Sequence, residues 1–252
     1  MAAGASLQNY LGSGDARVSY ANIPDEKDFI RQPACFTKNS LTVGGWQVMD
    51  TWIRSYMKTL ASIATKNGGN ILEVGYGMGL AARAIRENPK VKNHTIIEVH
   101  PGISAHAEKM FKKEIAEGKV NVITGFWEDA IGRFPKGSFD GILFDSYYLG
   151  GAHLCSKAKT RFSIVEDASK KKVLNLVFRY HHPFFKEAYS LLKKGGVFTY
   201  YSNEEKGFSA KHLNALKRTG FSKIDYRICG VNPPKSCPYW KHKTIVAPMI
   251  IK

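Results

Sequence analysis

Apolar runs of strand length alternate with amphipathic helical patterns from residue 47 onward, and this alternation constrains the fold most. The predicted strands are 70–75, 94–99, 120–125, 139–145, 197–202, 223–231 and 244–251, and the predicted helices are 47–66, 80–88, 104–118, 182–196 and 209–220. Alternating strands and helices are typical of a parallel sheet covered by helices on both faces. No helix separates the last two strands, so we expect a mostly parallel, Rossmann-like α/β fold with an antiparallel C-terminal strand.

The length and composition indicate a folded protein with one main domain. A chain of 252 residues is expected to form one domain with additions. We predict an N-terminal cap over 1–46 and a main domain over 47–252, with an insertion at 149–180 because that irregular stretch is long for a connection. The hydrophobic share of 44% excludes disordered and fibrous classes.

The sequence carries no sign of a membrane or secreted setting. No apolar run reaches the roughly 18 residues of a membrane span, and the start of the chain lacks the apolar stretch of a secretory signal. The cysteines at 35, 155, 229 and 237 are far apart and form no CxxC pair. We therefore expect no membrane contact, no disulfide framework and a cytoplasmic location.

The net charge of +16 is concentrated in two segments, 151–180 and 206–252. A basic surface of this kind either binds an acidic partner such as nucleic acid or is a solvated, lysine-rich face. No base-reading motif accompanies the charge, so we favour the solvated face and expect no specific nucleic-acid binding.

A glycine-rich stretch follows the first predicted strand of the main sheet. It reads Glu73-Val-Gly75-Tyr-Gly77-Met-Gly79, and the next acid at a strand end, Glu98, comes 19 residues after the last glycine. Glycines let a backbone turn sharply and approach a ligand, and a carboxylate at that distance can accept both hydroxyls of a ribose. The stretch predicts a nucleotide cofactor at this edge of the sheet.

Proteins that bind either of two cofactors carry glycine motifs of this kind. NAD proteins carry a GxGxxG/A pattern, which residues 77–82 satisfy loosely. S-adenosylmethionine enzymes carry the form E-x-G-x-G-x-G, and residues 73–79 match it in full. We therefore predict S-adenosylmethionine rather than NAD.

Two further strand ends carry side chains suited to such a site. Phe126, Trp127, Glu128 and Asp129 follow the third strand of the main sheet, where an aromatic ring and a carboxylate can flank an adenine, although these residues can also simply open a helix. Asp145 ends the fourth strand and would face the methyl acceptor, where a carboxylate can hold a cationic group and take its proton. The alternative for Asp145 is a helix N-cap.

These motifs together resemble the guanidinoacetate N-methyltransferase family and the related arginine δ-methyltransferases. The resembling stretches are VMDTWIRSYM (48–57), ILEVGYGMGLAA (71–82), IIEVH (96–100), GFWEDA (125–130), FDGILFDSYYL (139–149), LLKKGGVFTY (191–200) and VNPPKSCPYW (231–240). The resemblance implies a class I methyltransferase fold, S-adenosylmethionine as methyl donor, and Asp145 as the group that holds the acceptor.

The resemblance, with the glycine motif, also implies a set of residues that contact the cofactor. This set is Met49, Met57, Glu73, Gly75, Tyr76, Gly77, Met78, Gly79, Leu80, Ala81, Glu98, Val99, His100, Trp127, Glu128 and Asp145.

The acceptor end departs from the family pattern. The family places a second carboxylate in a W-E-x-x-Y-M context, and this chain has Ile53 at that position, with Asp50 three residues earlier on the predicted helix. The family's carboxylate-binding N-L-T-S stretch is replaced by Ser202-Asn203-Glu204-Glu205. The predicted acceptor-binding residues are Asp50, Ile53, Asp145, Tyr148, Asn203 and Glu204.

We therefore predict N-methylation of a small guanidino or amine compound other than guanidinoacetate. The alternatives are a small carboxylate or hydroxyl acceptor, arginine in a protein, or a protein that binds S-adenosylmethionine without catalysis. The sequence leaves the oligomeric state open. His181 and His182, with His153 and Cys155 upstream, fit no common zinc spacing, so no metal is predicted.

Overall fold

The computed structural model describes residues 26–146, 181–237 and 239–252. Its helices are α1 (Glu26–Arg31), α2 (Arg54–Ala64), α3 (Leu80–Glu87), α4 (Pro101–Met110), α5 (Lys112–Ala116), α6 (Trp127–Ala130), α7 (His181–Leu191) and α8 (Ala210–Thr219). Its strands are β1 (Ala34–Phe36), β2 (Ser40–Val43), β3 (Trp46–Asp50), β4 (Gly69–Val74), β5 (Val91–Glu98), β6 (Val120–Thr124), β7 (Phe139–Phe144), β8 (Leu192–Tyr200), β9 (Lys223–Gly230) and β10 (Thr244–Ile251). Two 3₁₀ turns lie at Thr51–Ile53 and Ile131–Arg133.

The main sheet has seven strands in the order β6-β5-β4-β7-β8-β10-β9. Strands β6, β5, β4, β7 and β8 pair in parallel, and β10 pairs antiparallel with both β8 and β9. This arrangement confirms the predicted α/β fold and its antiparallel C-terminal strand. The segment predicted as an insertion, 149–180, lies outside the described residues.

The core occupies both faces of this sheet because successive strand residues point to opposite sides. On β4, Ile71 packs with α2 residues such as Leu60, whereas Leu72 packs with α7 residues such as Phe184. All four side chains are fully buried. Among the described residues, no helix combines the length and apolarity that a membrane crossing needs.

The prediction of a helix over 47–66 was wrong in its first part. Residues 46–50 form strand β3, which pairs antiparallel with β2 in a small three-stranded sheet, and the α-helix begins at Arg54. The cause is the turn at Gly44 and Gly45, whose φ angles of 55° and 80° suit a two-residue hairpin. Asp50 therefore ends a strand rather than lying on a helix face, and β3 crosses the predicted boundary between cap and main domain.

Smaller differences concern element ends. Helix α4 begins at Pro101 rather than 104, because the side chain of His100 accepts hydrogen bonds from the N–H groups of Gly102 and Ile103. Helix α7 ends at Leu191, and β8 begins at Leu192 rather than 197.

Candidate active site

The carboxyl ends of β4, β5, β6 and β7 meet at one edge of the main sheet and border a cleft. The chain runs outward from β4 to β6 and then returns to β7 on the other side of β4, so the strand order reverses there. Open α/β sheets bind ligands at such a point. The cleft opens to solvent and is lined mostly by apolar residues and glycines, with Glu98 and Asp145 as its acids.

Many predicted cofactor-binding residues meet in this cleft. Those that line it are Met49, Gly75, Gly77, Glu98, Val99, Trp127 and Asp145. They come from five separate segments of the chain, and the sheet brings them together.

The loop after β4 approaches its neighbours so closely that two of its positions have no room for a side chain. Gly75 has φ 88°, and a Cβ atom there would lie 2.0 Å from the carbonyl oxygen of Asp145. Gly77 has φ 55°, and a Cβ atom there would lie 2.8 Å from Cε of Met49. The loop therefore presents bare backbone to the cleft, with β3 packed against it.

Glu98 ends β5 with its carboxylate held between two backbone groups. The N–H of Tyr76 donates to Oε2 at 2.9 Å, and the N–H of His100 donates to Oε1 at 2.9 Å. Burial raises the pKa of this carboxyl, and the backbone hydrogen bonds act against that rise. Each carboxylate oxygen keeps a further lone pair for a hydroxyl donor on the cleft side.

Glu73 lies behind the loop instead of beside the cleft. Its side chain is fully buried, and Oε2 lies 2.8 Å from Nε2 of His94 on β5. Burial, then the nearby Glu98, raises the pKa of Glu73, and burial, then Arg86, lowers the pKa of His94 to about 3. The two side chains therefore face each other in the interior between β4 and β5, where burial favours the uncharged form of each.

The loop after β6 supplies an aromatic wall. Gly125, Phe126 and Trp127 line the cleft, and Trp127 packs edge-on against Phe184 of α7 with ring centroids 5.1 Å apart. Glu128 is almost fully buried in the first turn of α6. This wall suits the flat face of an adenine.

Asp145 follows β7 and is partly buried in the cleft wall. Its N–H donates to the carbonyl of Val74 at 2.8 Å, which extends the pairing of β7 with β4 up to the cleft. Burial, then the nearby carboxyls of Glu73 and Glu98, raises the pKa of Asp145 from 3.8 to about 7. A carboxyl with this pKa can take up and release a proton near neutral pH.

The predicted acceptor-binding residues are spread over several elements. Asp50 ends β3, where its carboxylate accepts a hydrogen bond from the side-chain amide of Gln47. Ile53 is buried in the turn that follows. Tyr148 lies outside the described residues.

Tyr239 and Trp52 form an aromatic pair, with ring centroids 5.7 Å apart. Burial raises the pKa of the Tyr239 hydroxyl, and Cys237, Asp50 and Asp145 add smaller electrostatic contributions to that rise. Trp52 belongs to the 3₁₀ turn that follows Asp50.

Asn203 and Glu204 follow β8. Asn203 has φ 56°, the one positive φ among the described residues other than glycine, and such strain is common at functional sites. The Glu204 carboxylate turns toward α8, where Oε1 accepts from the Ser209 hydroxyl at 2.8 Å and lies 3.0 Å from Nδ1 of His212. Its predicted contact with an acceptor stays a prediction.

The other predicted residues lie behind the cleft wall. Met57, Tyr76, Met78, Leu80 and Ala81 belong to the core that α2 and α3 share with the sheet. Gly79 caps α3 with φ 67°, and His100 caps α4. These residues support the loops that border the cleft.

Sequence reasoning missed several cleft residues. They are Phe29, Val48, Val74, Ile97, Ile103, Gly125 and Ser146, whereas Phe126 belongs to the segment expected to flank an adenine. Phe29 is the least expected, because it comes from α1 in a segment that reads as irregular. Its ring meets that of His100 edge-on at 5.4 Å, and His100 Nε2 lies 3.0 Å from the carbonyl of Gln32. In the sequence, the two adjacent apolar residues Phe29 and Ile30 were the only indication that this segment packs against the main domain.

The cleft fits an adenosyl cofactor. Backbone without side chains at Gly75 and Gly77 leaves room for a bound chain, Glu98 offers carboxylate oxygens to ribose hydroxyls, and Phe126 and Trp127 form an apolar wall.

Relatives of this chain include fungal proteins. Protein arginine N-methyltransferase 2 of Cryptococcus neoformans is 34% identical over 89 residues, which cover 32% of this chain and 24% of that protein. The protein of the same name in Kluyveromyces lactis is 27% identical over 147 residues, covering 54% of this chain and 35% of that protein. The chain thus spans well under half of the length of either.

Solved structures agree on the fold. Spermidine synthase from Thermotoga maritima aligns with a TM-score of 0.55 and 15% identity, covering 84% of this chain and 64% of that chain. An identity this low speaks for the architecture alone.

The model of the family described as guanidinoacetate N-methyltransferase matches residues 34–252. The match covers both sheets and every cleft residue except Phe29. It confirms the resemblance that the motifs predicted, and membership of a methyltransferase family makes S-adenosylmethionine the cofactor of the cleft. The chain belongs to the guanidinoacetate N-methyltransferase family.

Proposed function

We propose that this protein transfers a methyl group from S-adenosylmethionine to a nitrogen of a small guanidino or amine compound. The observation that carries the proposal is Asp145, a carboxyl in the cleft wall whose pKa of about 7 suits proton uptake near neutral pH. S-adenosylmethionine, when bound, supplies a methyl group activated by a positively charged sulfur.

Asp145 has two tasks in this proposal. As a carboxylate it holds the cationic acceptor by charge-assisted hydrogen bonds and fixes the direction of the attacking nitrogen. A protonated guanidinium or ammonium has no free lone pair, so Asp145 also accepts the proton that the nitrogen must lose. A cation bound beside it lowers the pKa of Asp145 and thereby favours the carboxylate form.

Asp50 is the second carboxylate that we assign to the acceptor. Ile53 takes the position where the family resemblance places an acid, whereas Asp50 lies just before it at the end of β3. Val48 and Met49, the residues before Asp50 on β3, line the same cleft as Asp145, which supports a shared location for the two acids. The stacked rings of Trp52 and Tyr239 then offer an apolar face to the acceptor.

This arrangement favours an acceptor larger and more apolar than guanidinoacetate. The buried Ile53 offers no charge to a guanidinium. The segment 202–205 carries two acids where the family binds a carboxylate, which disfavours a carboxylate-bearing acceptor. Arginine in a protein is the second candidate, since two relatives are named protein arginine N-methyltransferase 2.

The proposed function does not include specific nucleic-acid binding. The lysine-rich segment 206–252 has no accompanying base-reading motif, and its lysines suit a solvated face.

An acceptor panel tests the proposal. Purified protein is incubated with S-adenosylmethionine and, separately, guanidinoacetate, arginine, alkyl and aromatic amines, small hydroxyl and carboxylate compounds without an amine, or an arginine-containing peptide. We expect S-adenosylhomocysteine release and an acceptor heavier by one methyl group for an amine or guanidine other than guanidinoacetate. Methylation of a hydroxyl or carboxylate compound alone would overturn the assigned chemistry, and preference for the peptide would move the acceptor to protein arginine.

One variant tests the acceptor pocket. Ile53→Glu restores the acid that the family pattern contains, so we expect the ratio of kcat/KM for guanidinoacetate to that for the best acceptor to rise. Ile53→Gln, similar in size and neutral, is the control. Efficient use of guanidinoacetate by the unaltered protein, near 10⁴ M⁻¹s⁻¹ or better on the order of an ordinary enzyme, would show that position 53 does not select the acceptor.

A further inference from the structure

Three histidines from two helices meet beside the end of β8. His181 and His182 open α7, and His212 lies in the first turn of α8. One ring nitrogen from each lies within 4.8 Å of one from each of the others. His181 and His212 are almost fully buried, whereas His182 is partly exposed. No spacing pattern predicts this cluster, because its third member comes thirty residues after the second.

The neighbours of His212 fix which ring nitrogen carries its proton. Nδ1 lies 3.0 Å from Oε1 of Glu204, and Nε2 lies 2.7 Å from the hydroxyl of Tyr200. The same Glu204 oxygen accepts from the hydroxyl and the N–H of Ser209, at 2.8 and 3.2 Å, so it also acts as the acceptor toward Nδ1 of His212. Nδ1 is therefore the donor, and in a neutral ring Nε2 carries the lone pair.

This carboxylate–histidine arrangement is the one that orients ligating histidines at metal centres. Neutral imidazole is the form that binds metal ions. The cluster thus combines close ring nitrogens and an orienting carboxylate.

We propose that His181, His182 and His212 bind a divalent transition metal ion such as Zn²⁺, with Glu204 orienting His212. Zinc lies about 2.0–2.1 Å from each imidazole nitrogen, which sets the nitrogens about 3.4 Å apart in a tetrahedral site. Small ring rotations from the present spacing reach that geometry, and Nε2 of His212 then exchanges the Tyr200 hydroxyl for the metal.

The metal in this site joins parts of the fold rather than supplying chemistry. It would link the first turns of α7 and α8 beside Tyr200. Glu204, which contacts His212, directly follows the strained Asn203 in the chain. The site is separate from the cofactor cleft, so metal binding and methyl transfer are measured independently.

Zinc titration of tag-free, metal-stripped protein by calorimetry tests the site, with Co²⁺ absorption as a second readout. We expect one Zn²⁺ per chain and visible Co²⁺ bands typical of tetrahedral nitrogen ligation. His182→Asn and His212→Asn should abolish both signals. Glu204→Gln should weaken Zn²⁺ binding by about 10–100-fold, as loss of an orienting partner does.

The control is His242→Asn, because His242 also faces a glutamate, with Nδ1 3.1 Å from Glu205, but lies outside the cluster. This variant should bind Zn²⁺ as the unaltered protein does. If His212→Asn fails to fold, His182→Asn still tests the site, because the native His182 side chain is partly exposed and folding depends on it less. The proposal would be overturned if the unaltered protein bound no stoichiometric Zn²⁺, or if His242→Asn lost Zn²⁺ binding as fully as the cluster variants do. The three histidines would then form only a stacked aromatic cluster.

Discussion

The carbonyl oxygen of Asp145 occupies the space where a side chain at Gly75 would begin, 2.0 Å from the position of its Cβ atom. The loop that we assign to the cofactor and the residue that we assign to the acceptor therefore touch through their backbones. The hydrogen bond from the N–H of Asp145 to the carbonyl of Val74, at 2.8 Å, holds the two strand ends in this contact. In the proposed function, the pairing of β4 and β7 thus sets the donor and acceptor sites side by side.

Gly75→Ala should disrupt this contact. A left-handed non-glycine residue costs about 1–2 kcal/mol, and the overlap with backbone adds about 1–3 kcal/mol, so we expect a loss of about 2–5 kcal/mol in the free energy of unfolding. Gly118→Ala is the control, because Gly118 has φ 69° but no atom within 4 Å of its Cβ position. Equal losses in chemical denaturation would show that the contact with Asp145 contributes nothing.

Glu98→Gln should weaken S-adenosylmethionine binding. The amide would turn an N–H group toward one of the two backbone donors that now bond the carboxylate, and the ribose would lose a charged partner. We expect a loss of about 1.5–3 kcal/mol, roughly ten- to hundredfold in Kd, measured by calorimetry. The exposed Glu108→Gln serves as control, and unchanged affinity in Glu98→Gln would contradict the assignment.

Glu73→Gln should behave differently, although Glu73 belongs to the same motif. The side chain is buried beside His94 and does not line the cleft, and burial raises its pKa, so an uncharged amide of the same size is a close replacement. We expect cofactor affinity within a few-fold of the unaltered protein. Glu73→Ala should lower the free energy of unfolding by about 1–3 kcal/mol, since it strands a buried polar partner. A large loss of affinity in Glu73→Gln would mean that its charge acts on the cofactor.

The pH dependence should report Asp145. Its pKa of about 7 predicts that kcat/KM rises as the pH increases through 7, because only the carboxylate holds the acceptor and takes the proton. For stability the sign is opposite. A carboxyl whose pKa is raised on folding stabilises the fold fully below its ordinary pKa of 3.8 and loses that contribution as the pH rises through 7.

Asp145→Asn should therefore match the unaltered protein in Tm at acid pH and exceed it above pH 7, where the buried charge no longer opposes folding. Thermal unfolding across this range checks the sign. A Tm difference that does not grow between pH 3.8 and 7 would contradict the raised pKa.

Most of the sheet could be predicted because its strands are apolar runs and because glycines that end the helices between them are visible in the local sequence. Strand β10 has the predicted bounds, Thr244–Ile251, and α8 lies between its cap Ser209 and Gly220 as expected. The hairpin at Gly44 and Gly45 was missed, since apolar residues at three- and four-residue spacing after it outweighed the turn signal.

The side chains of the site were predicted less completely than its strand ends. Glycine spacing and the acids after strands indicate backbone positions, and those came together in the cleft. The partners of Glu73 and Glu204 are His94 and His212, which are brought in by strand pairing and helix packing. A single sequence carries no local signal for such contacts, and the same holds for Phe29.

The most direct test of the account is S-adenosylhomocysteine release with the best acceptor, compared between the unaltered protein, Asp145→Asn and Asp140→Asn. Asp140 lies on the same strand near its other end, where its carboxylate accepts from the N–H of Asn70 and from Lys193, both at 2.8 Å. We predict that Asp145→Asn binds S-adenosylmethionine but loses at least about 100-fold in rate, the contribution of a general base, whereas Asp140→Asn remains active. Full activity of Asp145→Asn, or an equal loss in both variants, would contradict the central role of Asp145.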